Sequence, residues 1–384
     1  MLRILKTLSK FSLKLIVSLL LGAIGLFLIL YAGTAIYDFP KSAPFSGQQI
    51  YNPYDDVGTQ SSKSNFHAHS KAWAGATNGK NTENEVIEAY IEKGYDVACL
   101  SNYQKISPYD GQKSITNFPV YEHGYSMKKA HYLAINAKDV VFWDFPLWQS
   151  SSHQQTITNK LRANADIVAI AHPKFGGGRT FENMEQLTGY HLIEVLNHYR
   201  NSEEYWDRAL SVGRLSWIIG NDDIHDIKDP EIFQIWNNIF SAKPEEILLN
   251  LKNGKNYATQ SFTKQAENKM LSCKKTGENS FEVVLEKPAD IDFIGQNGAL
   301  KQKSTQTDTA SYTFTNDDTY IRVVARNQNS ALYLNPLVRY DGKSLIMASD
   351  LEAQQDNIMT WVWRLSFLLA FATVGYLWIK LIRW

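Results

Sequence analysis

Uncharged, mostly apolar residues run unbroken over positions 15–37, and a second apolar run over 359–379 carries a single charge, Arg364. Each is long enough to cross a hydrocarbon core of about 30 Å as a helix. In the second run the apolar residues go all the way round rather than along one stripe, which separates it from an amphipathic helix, and Trp361, Trp363 and Trp378 stand where an interfacial aromatic belt belongs. Arg3, Lys6, Lys10 and Lys14 precede the first run, Lys380 and Arg383 follow the second, and Asp38, Asp55 and Asp56 lie beyond the first. The positive-inside rule then predicts a two-pass membrane protein: a cytoplasmic basic tail (1–14), a first span (15–37), a second span (359–380), and everything between on the extracytoplasmic side. A cleaved signal peptide is the alternative for the first run, with Gly33-Thr34-Ala35 as small residues for a peptidase, but the run exceeds a usual signal core.

Between the spans, continuous apolar runs at 95–100, 131–135, 167–171, 192–196 and 215–220 read as buried strands. Helices are predicted over 82–93, 156–165, 181–187, 203–212 and 244–253. This alternation predicts an α/β unit over 48–260, a parallel sheet covered on both faces, either a barrel or an open doubly wound sheet. From 261 to 350 the pattern changes to short alternating runs at 281–286, 310–314 and 320–325, with turn signals at Gly277, Asn297 and Asn316. That predicts a small all-β sandwich, read as a structural or partner-binding appendage.

Composition narrows the chemistry. The 384 residues carry 39 Lys and Arg against 39 Asp and Glu, a neutral balance that gives no support to nucleic-acid binding. Cys99 and Cys273 are the only cysteines, too few for a disulfide framework or a Cys-rich zinc site. The histidines are more informative. His67-Ala-His69 projects two imidazoles to one side of an extended stretch, His172-Pro173 ends an apolar strand, and Asp222-Asp223-Ile-His225 ends another. Glu122-His123 precedes His131 at the start of a strand. In α/β barrels the loops at strand ends converge on one mouth, so repeated placement at such ends favours a shared metal site over chance. His123 is either a partner of Glu122 or ordinary, while His153, His191 and His198 read as ordinary residues of polar loops or strand flanks.

Taken in order, His67-Ala-His69, Glu122 ahead of His131, Ala171-His172-Pro173, Ile193-Glu194-Val195 with Asn197, and Asp223-Ile-His225 resemble the PHP (polymerase and histidinol phosphatase) family over about 64–260. The resemblance implies a distorted (β/α)7 barrel and a metal-dependent phosphoesterase in which a metal-activated hydroxide attacks a phosphate ester. Two departures fall together: Thr77-Asn78-Gly79 stands where a further ligand is usual, and Ser101-Asn102-Tyr103 replaces a Thr-Asp-His. Two divalent ions (zinc, manganese or iron) are therefore expected, and a third is not. The implied ligands are His67, His69, Glu122 and Asp223 for the first ion, and a bridging Glu122 with His131 and His172 for the second. His225 is left as a weak third-site ligand or proton donor, and Asp222 remains the alternative to Asp223. Lys174 and Arg179, flanking Gly176-Gly177-Gly178, are expected to clamp the substrate phosphate, with Arg200 a weaker candidate. The expected partners are the membrane and a phosphorylated small molecule, lipid or glycan. A hydrolase of another bond, and an impaired pseudoenzyme acting as a binding module, are the competing readings.

Overall fold

The computed structural model describes residues 2–107, 115–241, 243–263 and 267–383. The first apolar run lies in helix α1 (Leu2–Ala32), so the basic segment expected as a separate tail belongs to the same helix. Within it, Lys10–Ala32 is long and apolar enough to cross a membrane, as is the C-terminal helix Asn357–Arg383. The two run antiparallel: Lys14 Nζ donates to the Ile382 carbonyl at 3.4 Å, Trp378 Nε1 to Ser18 Oγ at 3.1 Å, and Trp363 Nε1 to the Tyr31 carbonyl at 2.9 Å. Just beyond them Tyr37–Asp38 pairs antiparallel with Gln354–Gln355, so both segments enter the central unit as one ribbon.

That unit contains helices α2 (Glu83–Glu92), α3 (Ser151–Arg162), α4 (Phe181–Gln186), α5 (Glu203–Ser211) and α6 (Ile247–Lys252), which makes the C-terminal helix α7. Local chemistry sets their starts. Thr82 and Glu85 close a reciprocal capping box on α2, Thr180 and Asn183 do the same on α4, and Ser150 with His153 does so on α3. The last box corrects the expected start at 156 and takes His153 out of a polar loop. Its imidazole is buried against Tyr31, Phe145 and Trp363, with Nδ1 accepting from the Ser150 N–H at 3.0 Å.

Seven strands carry the functional edge: β1 (Ser62–Asn65), β2 (Val97–Ala98), β3 (Val120–His123), β4 (Tyr132–Ala137), β5 (Ala165–Ile170), β6 (Leu192–Asn197) and β7 (Trp217–Asn221). They divide between two sheets that do not close into a barrel. One runs in the order β7-β6-β5-β4-β3 and is mixed rather than all parallel, because β4 is antiparallel to both β3 and β5. The other begins with β1 and β2 and continues through β8 (Ile235–Ile239) and β9 (Asn256–Ser261) into the C-terminal strands. Apolar side chains of both sheets, including Phe66, Leu133, Val168, Ile193 and Ile218, share one core.

The C-terminal strands do not stand apart at 260/261. Strand β9 ends there, yet it hydrogen-bonds along its length to Ser330–Leu334, so one sheet runs through the expected boundary. A buried charge network fastens the same region to α5: Arg322 grips both Asp207 oxygens at 2.8 and 2.7 Å and reaches Glu203 Oε2 at 2.9 Å, while Tyr320 donates to Asp207 at 3.0 Å. Removing one partner of such a pair strands a buried charge, so Arg322→Ala is expected to cost about 3–5 kcal/mol. Denaturant unfolding of the full chain checks it, and a loss under about 1 kcal/mol, the range of an exposed pair, would show that the network does not hold the two regions together.

Burial pushes the His153 pKa down from 6.5 to about 4. Between those two values the unfolded chain binds the proton and the folded chain does not, so stability must fall as pH drops from about 6.5 toward 4. His191, whose Nδ1 accepts the Val168 N–H at 3.2 Å, is displaced in the same direction to about 4. The expected outcome is a smaller stability loss between pH 7 and pH 5 in His153→Asn, which keeps an acceptor for the cap, than in the parent chain. Equal losses in thermal unfolding would contradict it.

Candidate metal centre

The mixed sheet explains why these side chains meet. Because β4 runs opposite to β3 and β5, its first end lies at the same edge as their last ends. His131, just ahead of β4, therefore faces Glu122 near the end of β3 and His172 just past β5; in an all-parallel sheet it would sit at the wrong end. His67 follows β1 by two residues and Asp223 follows β7 by two, and the extensions of those strands are laced together. Asp223 N–H donates to the His67 carbonyl at 2.9 Å, His69 N–H to the Ile224 carbonyl at 2.8 Å, and Phe66 N–H to Asn221 Oδ1 at 2.8 Å.

Three groups of ligand atoms result: two share the Glu122 carboxylate, and the third is His67, His172 and Glu194. Glu122 Oε2 lies 3.3 Å from His67 Nε2 and 3.0 Å from His69 Nε2, and Asp223 Oδ1 lies 3.1 and 3.2 Å from the same nitrogens. Glu122 Oε1 lies 2.5 Å from His131 Nδ1 and 3.1 Å from His172 Nε2. All of these residues are buried, so water does not neutralise this charge. Glu122 Oε2, Asp223 Oδ1 and His131 Nδ1 make no hydrogen bond of acceptable geometry. Buried polar atoms are normally paired, so three converging unpaired ones fit a cation, and these imidazole and carboxylate groups can hold one.

Electrostatics point the same way. Burial opposes ionisation of Glu122, but His131 and His67 outweigh it and hold the carboxyl well below its usual range. Burial likewise opposes charge on His67, but Asp223, Glu194 and Glu122 outweigh it and raise its pKa well above 6.5. A proton at His67 thus stands where a metal ion would, and metal binding there must release it.

Asp223 rather than Asp222 faces the centre. Asp222 accepts from Tyr90 and Tyr95 hydroxyls at 3.2 and 3.3 Å, and burial raises its pKa to about 6. Asp223 adopts φ +50° and His172 φ +28°, left-handed values rare for such side chains. Both are held by hydrogen bonds on their own N–H groups, Asp223 to His67 and His172 to Glu194 Oε2 at 3.0 Å. Backbone strain retained at two ligand positions is typical of functional sites.

Glu194, which the sequence offers only as part of a motif, organises the centre. Oε1 accepts from His67 Nδ1 at 3.0 Å and Asn221 at 2.8 Å; Oε2 accepts from the His172 N–H and from Asn197 at 3.1 Å. With four partners it is satisfied, so it orients rather than ligates: it fixes the His67 proton on Nδ1 and leaves Nε2 for the centre. Asn197 also donates to Asp223 Oδ2 at 3.2 Å, which leaves Oδ1 facing inward. A lone carboxylate inside the apolar run Leu192–Asn197 was the sequence signal for this role.

Several expected roles need correction. Arg179 is buried and donates to Tyr132, Gln154 and the His131 carbonyl, so it braces His131 and is not free to clamp a phosphate. Lys174 turns outward to Glu204 at 2.9 Å. The glycines between them form no phosphate loop: a Cβ on Gly178 would lie 2.6 Å from Ala130 N, so the residue lets the chain pass close behind the turn before His131. Arg200 donates to its neighbour Tyr199 and stays at the exposed rim. His123 donates to the Trp143 carbonyl at 3.0 Å and serves a loop instead of Glu122. His225 lies 3.6 Å from Asp223 and stacks on His69 at 4.3 Å, but burial pushes its pKa down to about 4, which suits ligation better than proton donation.

At the positions of the two departures, Asn102 bonds Ser70 and Ser107 and does not enter the centre. The Tyr103 ring stacks on His69 at 4.5 Å, and Asn78 reaches only His225, at 3.4 Å. No protein-family model matches this chain, and no curated protein is similar to it. Glu194→Gln is expected to weaken divalent-cation binding about 10–100-fold, and Asp222→Asn to leave it unchanged. Competition with a chromogenic chelator reads both; unchanged affinity in Glu194→Gln would remove Glu194 from the account.

Proposed function

We propose that this chain is a membrane-anchored, metal-dependent phosphoesterase of PHP type, with its centre on the extracytoplasmic side. The observation that carries the reading is the division of Glu122, one oxygen toward His67, His69 and Asp223 and the other toward His131 and His172. A carboxylate so divided suits two cations held side by side. One feature of the strand order supports the PHP resemblance: single bridges, Ala68–Ile224 and Tyr103–Glu122, link the extension of β1 to that of β7 and the extension of β2 to β3, although the two sheets stay open. For the orientation, the basic ends of α1 and α7 lie side by side, which agrees with a common cytoplasmic face.

Divalent ions held by His67, His69, Glu122, Asp223, His131 and His172 would supply Lewis acidity for activating water and neutralising charge on a phosphoryl group. The chain's own residues do the rest. Glu194 holds the proton of His67 away from the centre, Asn197 turns Asp223, Arg179 and Gly178 set His131, and burial excludes bulk water. The Tyr103 hydroxyl is kept protonated by burial and by Glu122 and Asp223, so it retains a proton to donate toward acceptors in the site.

A second reading has one specific observation in its favour. Tyr103 covers His69 where the family places a ligand, which suits a centre that holds ions without turning over substrate. Activity separates the two. The full chain in detergent is expected to bind about two ions and release phosphate from a chromogenic monoester. Chelation should abolish release and the metal should restore it, and Glu122→Gln should lower kcat/KM by about 1000-fold, the equivalent of several kcal/mol of metal stabilisation. Bound ions with no phosphate release would favour the second reading.

A further inference from the structure

The loop between Glu122 and His131 and the segment 142–148 lie against each other and against the end of α1. Tyr125 N–H donates to Asp144 at 2.7 Å, the Tyr125 hydroxyl to the Phe142 carbonyl at 3.2 Å, and Met127 N–H to the Pro146 carbonyl at 2.8 Å. The Tyr31 hydroxyl accepts from the Leu147 and Trp148 N–H groups at 2.9 and 3.0 Å, and its ring stacks on Trp148 at 4.2 Å. Yet this braced surface leaves large apolar side chains open: Met127 is 74% exposed, Phe142 59%, Trp148 and Tyr125 48%, and Leu147 39%. Exposed Lys128 and Lys129 stand beside Met127.

Helix geometry fixes the height of this patch. From Lys14 to Tyr31 the helix rises about 26 Å, and from Lys380 back to Thr360 about 30 Å, against a hydrocarbon core of about 30 Å. Trp363 donates to the Tyr31 carbonyl and Thr360 accepts from the Ile36 N–H, so both helices put Tyr31 at the border of that core. Trp148, stacked on Tyr31, cannot be far from it.

We propose that Tyr125, Met127, Phe142, Leu147 and Trp148 form an interfacial wedge that enters the leaflet on the side of the central unit, with Lys128 and Lys129 at the level of phospholipid headgroup phosphates. An aromatic and aliphatic surface flanked by lysines is what an interface of this kind selects. Its Tyr125–Lys129 part joins Glu122 to His131, so on the function proposed above it holds the candidate metal centre close to the bilayer and favours a phosphate ester carried by a lipid over a freely diffusing one. The wedge itself rests on the two-span reading and is independent of hydrolysis.

Spin labels on the full chain in nanodiscs of phosphatidylcholine and phosphatidylglycerol test it. Native Cys99 and Cys273 are buried, so single introduced cysteines can be labelled. Labels at Met127→Cys and Phe142→Cys are expected to collide with oxygen in preference to a polar nickel reagent, at shallower depth than Leu26→Cys in mid-helix. Leu300→Cys, exposed on the C-terminal β region, should show the aqueous pattern. Aqueous values at 127 and 142 with a protected Leu26 would overturn the wedge alone. Shielding of 127 and 142 from both reagents would overturn it in favour of a second copy of the chain. Aqueous values at Leu26 as well would overturn the two spans along with it.

Discussion

A carboxylate that is buried, ionised and surrounded by imidazoles is the constraint around which this molecule is arranged. Glu122 has both oxygens inside the protein, and the four histidines around it can satisfy it only by carrying protons or by sharing cations with it. Protonating several adjacent imidazoles in a dry site sets like charges against one another, whereas cations concentrate the same positive charge on the lone pairs that already converge. The supporting residues follow from this. Glu194 takes the outward proton of His67, Asn197 donates to the outward oxygen of Asp223, and the left-handed backbone at His172 and Asp223 is held by hydrogen bonds from their N–H groups to Glu194 and to the His67 carbonyl.

The scaffold delivers these groups through strand direction. One antiparallel strand, β4, brings His131 to the edge where β3, β5, β6 and β7 end, and the glycines at 124 and 178 let the chain pass close enough to aim its ring. A Cβ on Gly124 would lie 2.6 Å from the His131 imidazole. The C-terminal strands are part of the same construction, since their sheet contains β1 and Arg322 clamps α5. The two long terminal helices are coupled to it too, through Tyr31, Trp148, His153 and Trp363.

Much of the centre was legible because ligand spacing is a local property. His67 and His69 two apart, His172 before a proline, and Asp223 past an apolar strand all follow from side-chain alternation and from where a strand must stop. What the sequence left hidden is non-local. Strand pairing between β9 and Ser330–Leu334 spans some seventy positions, so the continuous sheet looked like two domains. The direction of β4 depends on its neighbours, so an apolar run at 131–135 was read as one more parallel strand. Arg179 looked free because the groups that take up its donors, Tyr132 and Gln154, lie 47 and 25 residues away. His153 looked like a loop residue because its capping box uses histidine in place of the usual Glu or Gln.

Anomalous diffraction at the zinc, manganese and iron edges from crystals of the full chain tests the centre most directly, since it counts ions and names ligands in one measurement. The account predicts two peaks flanking the Glu122 carboxylate, one beside His67, His69 and Asp223 and the other beside His131 and His172. An absence of peaks in metal-supplemented crystals, or a single peak whose ligands exclude Glu122, would contradict it.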